Sequence, residues 1–214
     1  MHFSVLNKKQ AELLKKLSFL KEYGFYLAGG TALALQIAHR TSLDFDFYTP
    51  QKFDPQKIKK EFDKRFKNVK EIYLSEDTLI LNVEGTIVSC FWFPYKLIRP
   101  SQDFKEVSLA SLEDIGAMKM IAISQRGKRR DFIDLYFLLK KFGLRKIIEF
   151  VKKKYPNFNI YVGLQGLLYF EDAEKDPEKE RFRLLKKVKW SEIKKFIIEE
   201  VKKFKKYEFK KQKK

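Results

Sequence analysis

The chain has 214 residues, 44% of them hydrophobic and 15% aromatic, a composition that excludes a disordered protein and allows a substantial core. Forty-six basic residues face 28 acidic ones, and a formal net charge of +18 points to a polyanionic partner: RNA, DNA or a nucleotide. A single cysteine, Cys90, excludes an internal disulfide framework, and no stretch reaches the length of a membrane span.

Asn7 followed by Gln10 reads as a capping box, opening a helix with Leu13, Leu14, Leu17 and Leu20 on its apolar face and Tyr23-Gly24 at its end. A short strand is expected over residues 25–28, a short apolar helix over 31–38, and a strand over 43–47. On that strand Leu43, Phe45 and Phe47 are expected to face the core. Asp54-Pro55 caps a solvated helix that runs to about residue 66. Strands follow over 69–74, 78–83 and 86–93, with Glu84-Gly85 as the hairpin turn between the last two. Ser111-Leu-Glu-Asp114 is a capping box for a helix through 122, ended by Arg126-Gly127, and residues 130–141 form the next helix. Beyond residue 144 the chain reads as helical and basic, with loops at Tyr155-Pro-Asn and 171–178. Residues 186–214 carry thirteen lysines against four glutamates, half of the chain's net positive charge. The fold class is therefore α/β (α+β), a mixed sheet flanked by helices, with a soft boundary near Phe142-Gly143. Residues 1–142 form the core in this reading and 143–214 a basic C-terminal helical region.

Three clusters carry chemistry. Gly29-Gly30-Thr31 lets the backbone approach a phosphate, while the helix that follows aims free N–H groups at the same spot. It is neither a P-loop nor a dinucleotide turn. Asp44-Phe45-Asp46 places two carboxylates on one face of a strand, roughly 7 Å apart at their Cα atoms. That pattern suits a hard cation bridging a polyphosphate. Arg40 and Ser42, just upstream, are candidate phosphate contacts. The third cluster is Lys119, on a helix otherwise lined by Ile115, Met118, Ile121 and Ala122, together with Asp131 and Asp134, which share a helix face. Each cluster also has a plainer structural reading: a tight turn, two solvated acids, and charge pairing at a helix end.

In order along the chain, Gly29-Gly-Thr-Ala-Leu, Arg40-x-Ser-x-Asp-x-Asp-Phe, Glu113-Asp-x-x-x-x-Lys119 and Arg129-x-Asp131-Phe-x-Asp134-Leu resemble the AbiEii/AbiGii-type nucleotidyltransferase toxins of the polymerase-β-like superfamily. The resemblance spans residues 25–140. It implies a polymerase-β-like core and a Mg²⁺-dependent enzyme that moves NMP from an NTP to an acceptor, with the tRNA 3′ end as the acceptor of related toxins and an antitoxin as a partner. It further implies that Gly29, Gly30 and Thr31 hold the triphosphate and that Asp44 and Asp46 hold Mg²⁺. Lys119 then matches an essential lysine, and Asp131 or Asp134 a late acidic residue. Fuller members carry a third carboxylate on a later central strand, whereas residues 86–93 contain no acid. Glu84, Asp131 and Asp134 are the substitutes within the sequence.

The N-terminus lacks a signal-peptide apolar core, so the expected location is cytoplasmic, with no membrane partner. The expected reaction is in-line attack of an acceptor hydroxyl on the NTP α-phosphorus, with Lys119 and Arg40 steadying the pyrophosphate. The rival readings are a non-catalytic nucleotide- or RNA-binding module of the same fold and AMP transfer to a protein hydroxyl. For the lysines of the C-terminal helix, a solvated face and an RNA-docking face both fit.

Overall fold

A computed structural model describes residues 2–105, 107–179 and 181–211, which cluster into two compact units, Met1–Ser111 and Leu112–Lys214. In the first, a 3-10 turn at Phe3–Val5 leads into α1 (Lys8–Lys16). The capping box forms as the sequence implies: Gln10 N donates to Asn7 Oδ1 at 2.9 Å and Asn7 N to Gln10 Oε1 at 3.0 Å. A 3-10 stretch, Leu17–Tyr23, continues the apolar face and ends at left-handed Gly24.

The sheet then builds from β1 (Tyr26–Leu27), β2 (Phe45–Thr49), β3 (Val69–Leu74), β4 (Thr78–Val83), β5 (Thr86–Trp92), β6 (Gln102–Phe104) and β7 (Val107–Leu109). Among the described residues the strand order is β3-β4-β5-β2-β1-β7-β6. It is a mixed sheet: β2 runs parallel to β5 and β1 parallel to β7, while the other neighbours are antiparallel. Between the strands lie α2 (Gly29–Ile37) and α3 (Pro55–Arg65), the latter capped by Asp54, whose Oδ1 accepts from Gln56 N and Lys57 N. The β4–β5 hairpin turns on Glu84 (φ 51°) and Gly85 (φ 91°), both left-handed, as a two-residue turn matching strand twist requires.

Alternation along the strands sorts the two faces of the sheet. Phe45, Phe47, Leu79, Leu81, Val83, Val88 and Cys90 are buried on one of them. Asp46 and Tyr48 share the other, where the register sets Ser89 beside Asp46 and Phe91 beside Tyr48. Leu43 departs from expectation. Strand β2 starts at Phe45, and residues 41–44 form an irregular segment tied to α1, so Leu43 is 37% exposed. The strands β6 and β7 have no counterpart in the sequence reading, because three-residue strands show too little alternation to detect.

The second unit contains α4 (Leu112–Arg126), α5 (Arg129–Lys154), α6 (Ile160–Gly166), α7 (Glu171–Lys175) and α8 (Trp190–Lys211). Close backbone approach shapes this packing: a Cβ on Gly116 would come 2.8 Å from Ile147 Cδ1, and one on Gly166 3.0 Å from Ser124 Cα. At Gly143 (φ 73°, ψ 157°) α5 is kinked. The 171–178 stretch read as a loop is helical over its first five residues. Ile193, Ile197 and Val201 bury one stripe of α8. Among the described residues no helix is long and apolar enough to cross a membrane.

Candidate functional site

In the first unit the candidate residues gather where α2 begins. The helix starts at Gly29, two residues earlier than the sequence suggested, so both glycines lie in its first turn. Ala28 precedes them as an N-cap without a side-chain capping bond. The Asp46 carboxylate sits against that turn: a Cβ built on Gly29 would lie 2.9 Å from Asp46 Oδ2 and 3.5 Å from Asp46 Cβ. Gly29 also adopts φ 65°, so glycine is required here both for its conformation and for the space it leaves. A carboxylate held at a helix N-terminus meets the positive end of the helix dipole. The backbone agrees with this placement, with Ala28 N donating to Asp46 O at 2.9 Å.

Asp44 is half-buried and immediately precedes β2. Its carbonyl oxygen accepts a hydrogen bond from the Thr31 hydroxyl, which also lies 2.6 Å from Ser42 Oγ. A hydroxyl has one proton to give, so with Thr31 donating to Asp44, Ser42 donates to Thr31. Thr31 and Ser42 are 2% and 7% exposed. Their hydroxyls are thus committed to holding the segment that carries Asp44. Arg40 is likewise buried, and its Nη1 donates to Thr41 O at 2.9 Å.

One residue of this framework escaped the sequence reading. The buried Gln10 amide, besides closing the capping box, donates through Nε2 to Leu43 O at 2.7 Å and Ser42 O at 3.2 Å. A single side chain therefore couples α1 to the two residues before Asp44. Nothing in the local pattern distinguishes this Gln from one serving only as a cap.

The second unit brings Lys119, Asp131 and Asp134 together. Lys119 Nζ lies 2.7 Å from Asp131 Oδ1 and 2.7 Å from Asp134 Oδ2, and both aspartates are fully buried. Arg126 Nε adds a contact at 3.0 Å to Asp131 Oδ2. Two cations and two anions make the group formally neutral. Burial pushes the Asp131 carboxyl up, but Lys119 and Arg126 outweigh it and hold the group below the usual aspartate range. A second buried pair, Lys154 Nζ to Asp114 Oδ1 at 2.7 Å, also escaped the sequence reading. Its signal was present: Lys154 continues the buried stripe of Leu144, Ile147 and Val151.

Register locates the candidate positions for a third carboxylate. Ser89 occupies the β5 position paired with Asp46. Glu84 lies five residues away on the hairpin turn, roughly 17 Å along the strand, beyond the reach of its side chain. Among the described residues no group of three or more His, Cys, Asp or Glu side chains is arranged to hold a metal ion. The oxygen donors Asp44 and Asp46 nevertheless fit Mg²⁺, which usually takes one or two carboxylates from a protein and completes its shell with substrate phosphates and water.

The family model for the nucleotidyl transferase AbiEii toxin of type IV toxin–antitoxin systems matches residues 13–89 and 88–211. The chain belongs to the AbiEii nucleotidyltransferase toxin family. It is thus an enzyme of the nucleotidyltransferase class. An uncharacterised protein from Aquifex aeolicus (strain VF5) is 42% identical over 178 residues, which is 80% of this chain and 86% of that one. Two solved structures share the fold. JHP933 from Helicobacter pylori superposes with a TM-score of 0.59 at 17% identity, covering 99% of this chain and 98% of its own. MenT4, a nucleotidyltransferase toxin from Mycobacterium tuberculosis H37Rv, gives 0.61 at 15% identity over 87% and 79%.

Proposed function

We propose that this AbiEii-family enzyme transfers a nucleoside monophosphate from an NTP to an RNA hydroxyl, the tRNA 3′ end, as the toxin of a cytoplasmic toxin–antitoxin pair. The observation that carries this reading is the Asp46 carboxylate lodged against Gly29 at the start of α2, with Asp44 two residues away. That arrangement puts anionic oxygen donors beside free helix N–H groups, as a bridged triphosphate needs.

In this mechanism Asp44 and Asp46 would hold Mg²⁺, which when bound would neutralise triphosphate charge and polarise the reacting phosphoryl group. Gly29 and Gly30 admit the phosphates to the first turn of α2. Thr31, Ser42, Arg40 and Gln10 act as positioning residues that keep the Asp44 segment in place. Lys119 is the essential lysine of this reading, its ammonium oriented by Asp131 and Asp134. The acceptor hydroxyl attacks the α-phosphorus in line and gives up its proton to solvent, the bond to the β-phosphate oxygen breaks, and pyrophosphate leaves. We assign residues 1–142 as the transferase core and 143–214 as the basic helical region.

The test is incubation with each α-labelled NTP, Mg²⁺ and total tRNA. Transfer of label to RNA by the wild type, at a rate Asp46→Ala cannot match, is expected. Equal incorporation by the two proteins would sink the assignment of Asp46, and label on protein alone would redirect the acceptor to a polypeptide hydroxyl.

A further inference from the structure

A second feature of the first unit lies outside the aspartate site. A groove of about 820 Å³ runs between α1 and the far end of the β3–β4–β5 meander. Lys8, Lys9 and Lys16 line it from α1, and Lys67 and Lys70 from the start of β3. Two acids, Glu12 and Glu84, are also present, but the Glu12 carboxylate is already engaged by Lys15 at 2.8 Å. Among the described residues none of the five groove lysines forms an ion pair. On α8, Lys202 and Lys203 pair with Glu199 and Glu200 and Lys194 with Glu174, while Lys195, Lys205 and Lys206 lie along one helix rather than in a groove.

Cations that share a concavity without carboxylate partners repel one another, a cost offset when a polyanion enters and releases its counterions. Neutral hydrogen-bonding groups at the same wall, on Asn68, Asn82 and Thr86, suit phosphate and sugar oxygens. The groove is also placed to serve the aspartates. The register sets Asn82, and beyond it Lys70, opposite Ile87 on the face of Ser89 and Asp46, with Asn82 roughly 12 Å from Asp46 measured between backbones, whereas Thr86 faces the core side. The other wall, α1, carries Gln10, which grips the carbonyls of Ser42 and Leu43 next to Asp44.

We infer that the α1–hairpin groove is the docking track for the phosphate backbone of the acceptor RNA. The lysines of α8 are accordingly secondary. This inference rests on the reading of the acceptor as RNA, while the binding it describes needs neither NTP nor metal.

The experiment titrates fluorescent tRNA with full-length protein over a range of KCl concentrations, without NTP or Mg²⁺. It compares the wild type with a Lys9→Gln/Lys67→Gln/Lys70→Gln variant and a Lys195→Gln/Lys202→Gln/Lys205→Gln variant, both equally reduced in net charge. All substituted residues are exposed, and thermal melts verify folding. Three lost phosphate contacts should flatten the log–log salt slope by about 2 and weaken binding about 100-fold at 0.1 M salt. The α8 variant should show only a small fraction of that loss. Equal losses in the two variants would mean diffuse charge attraction and overturn the proposal. So would wild-type affinity in the groove variant; RNA labelling by the wild type in the α-labelled NTP assay would then leave the enzymatic reading standing. Poly-L-glutamate binding to the groove as tightly as tRNA, together with no RNA labelling, would defeat both readings and mark the groove as a site for an acidic polypeptide.

Discussion

The contact between Gly29 and Asp46 offers a sharp test, because it separates backbone strain from displacement of a carboxylate. In Gly29→Ala the new Cβ would meet Asp46 Oδ2 at 2.9 Å, and restoring an ordinary contact near 3.4 Å drives the carboxylate back by about 0.5 Å. The flexible carboxylate yields at little packing cost, so the stability loss comes mainly from the left-handed φ of 65°, ~1–2 kcal/mol. At 2–4 °C per kcal/mol that amounts to a fall in Tm of roughly 2–8 °C. Catalysis should suffer more. A misplacement of ~1 Å costs on the order of 100-fold, so half of that predicts a loss on the order of 10-fold in kcat/KM. Gly143→Ala is the control: its φ is 73°, but nothing lies within 4 Å of the new Cβ. It should lose comparable stability and keep its turnover. The readouts are a thermal melt and the rate of label transfer from α-labelled NTP. If both alanine variants keep the same activity while both lose stability, the tight fit of Asp46 against α2 has no catalytic role.

Three further outcomes follow from the second unit. Asp131→Asn leaves the Lys119 ammonium to Asp134 alone and takes from Arg126 its carboxylate, so the group carries an uncompensated positive charge; this should cost about 3 kcal/mol at pH 7, read by urea unfolding. Because folding lowers the Asp131 pKa, its contribution is present above the unfolded value of about 3.9 and is lost as pH falls through the lower folded value. The gap between wild type and variant should therefore narrow in acid, and a gap that widens would refute the pairing. Glu178 collects Lys128 at 2.6 Å, Arg130 at 3.3 Å and Arg181, and the Lys128 bond leads in drawing its carboxyl down to about 2. Glu178→Gln should cost ~1–2 kcal/mol at neutral pH after allowing for solvent screening. The cost should shrink in 1 M NaCl and vanish as pH falls from about 4.3 toward 2; insensitivity to salt would argue that the loop is held by other contacts. Gly166→Ala drives a Cβ to 3.0 Å from the Ser124 Cα, backbone that cannot swing aside, and should lower stability by ~1–3 kcal/mol in a thermal melt. An unchanged Tm would mean that α6 shifts freely on α4.

Where a local signal and the final conformation share one cause, the sequence was readable. The Asn7/Gln10 capping box, the Asp54-Pro55 helix start and the Glu84-Gly85 hairpin each depend on residues within a few positions of one another. Strand β4 was legible for the same reason, since its alternation is a local pattern. The strand carrying Asp46 was placed two residues early, because the 41–44 segment is held by Gln10 from α1, more than 30 residues away.

What the sequence determined by itself is the chemistry on offer: a Gly-Gly turn, an Asp-x-Asp strand, a lysine among apolar neighbours followed by two aspartates on one helix face, and a large positive charge. The family follows from those residues in that order. Tertiary structure alone decided how they are used. It set Asp46 against Gly29, turned the Thr31 and Ser42 hydroxyls inward to hold the Asp44 segment, and locked Lys119 between two buried carboxylates. It also left five lysines unpaired in a groove at the end of the sheet, among the described residues, while Lys202 and Lys203 of α8 found glutamates. The physical reason is the same in each case. Residue type and spacing fix which interactions are possible, but burial and pairing depend on contacts tens of residues apart that only the folded chain creates.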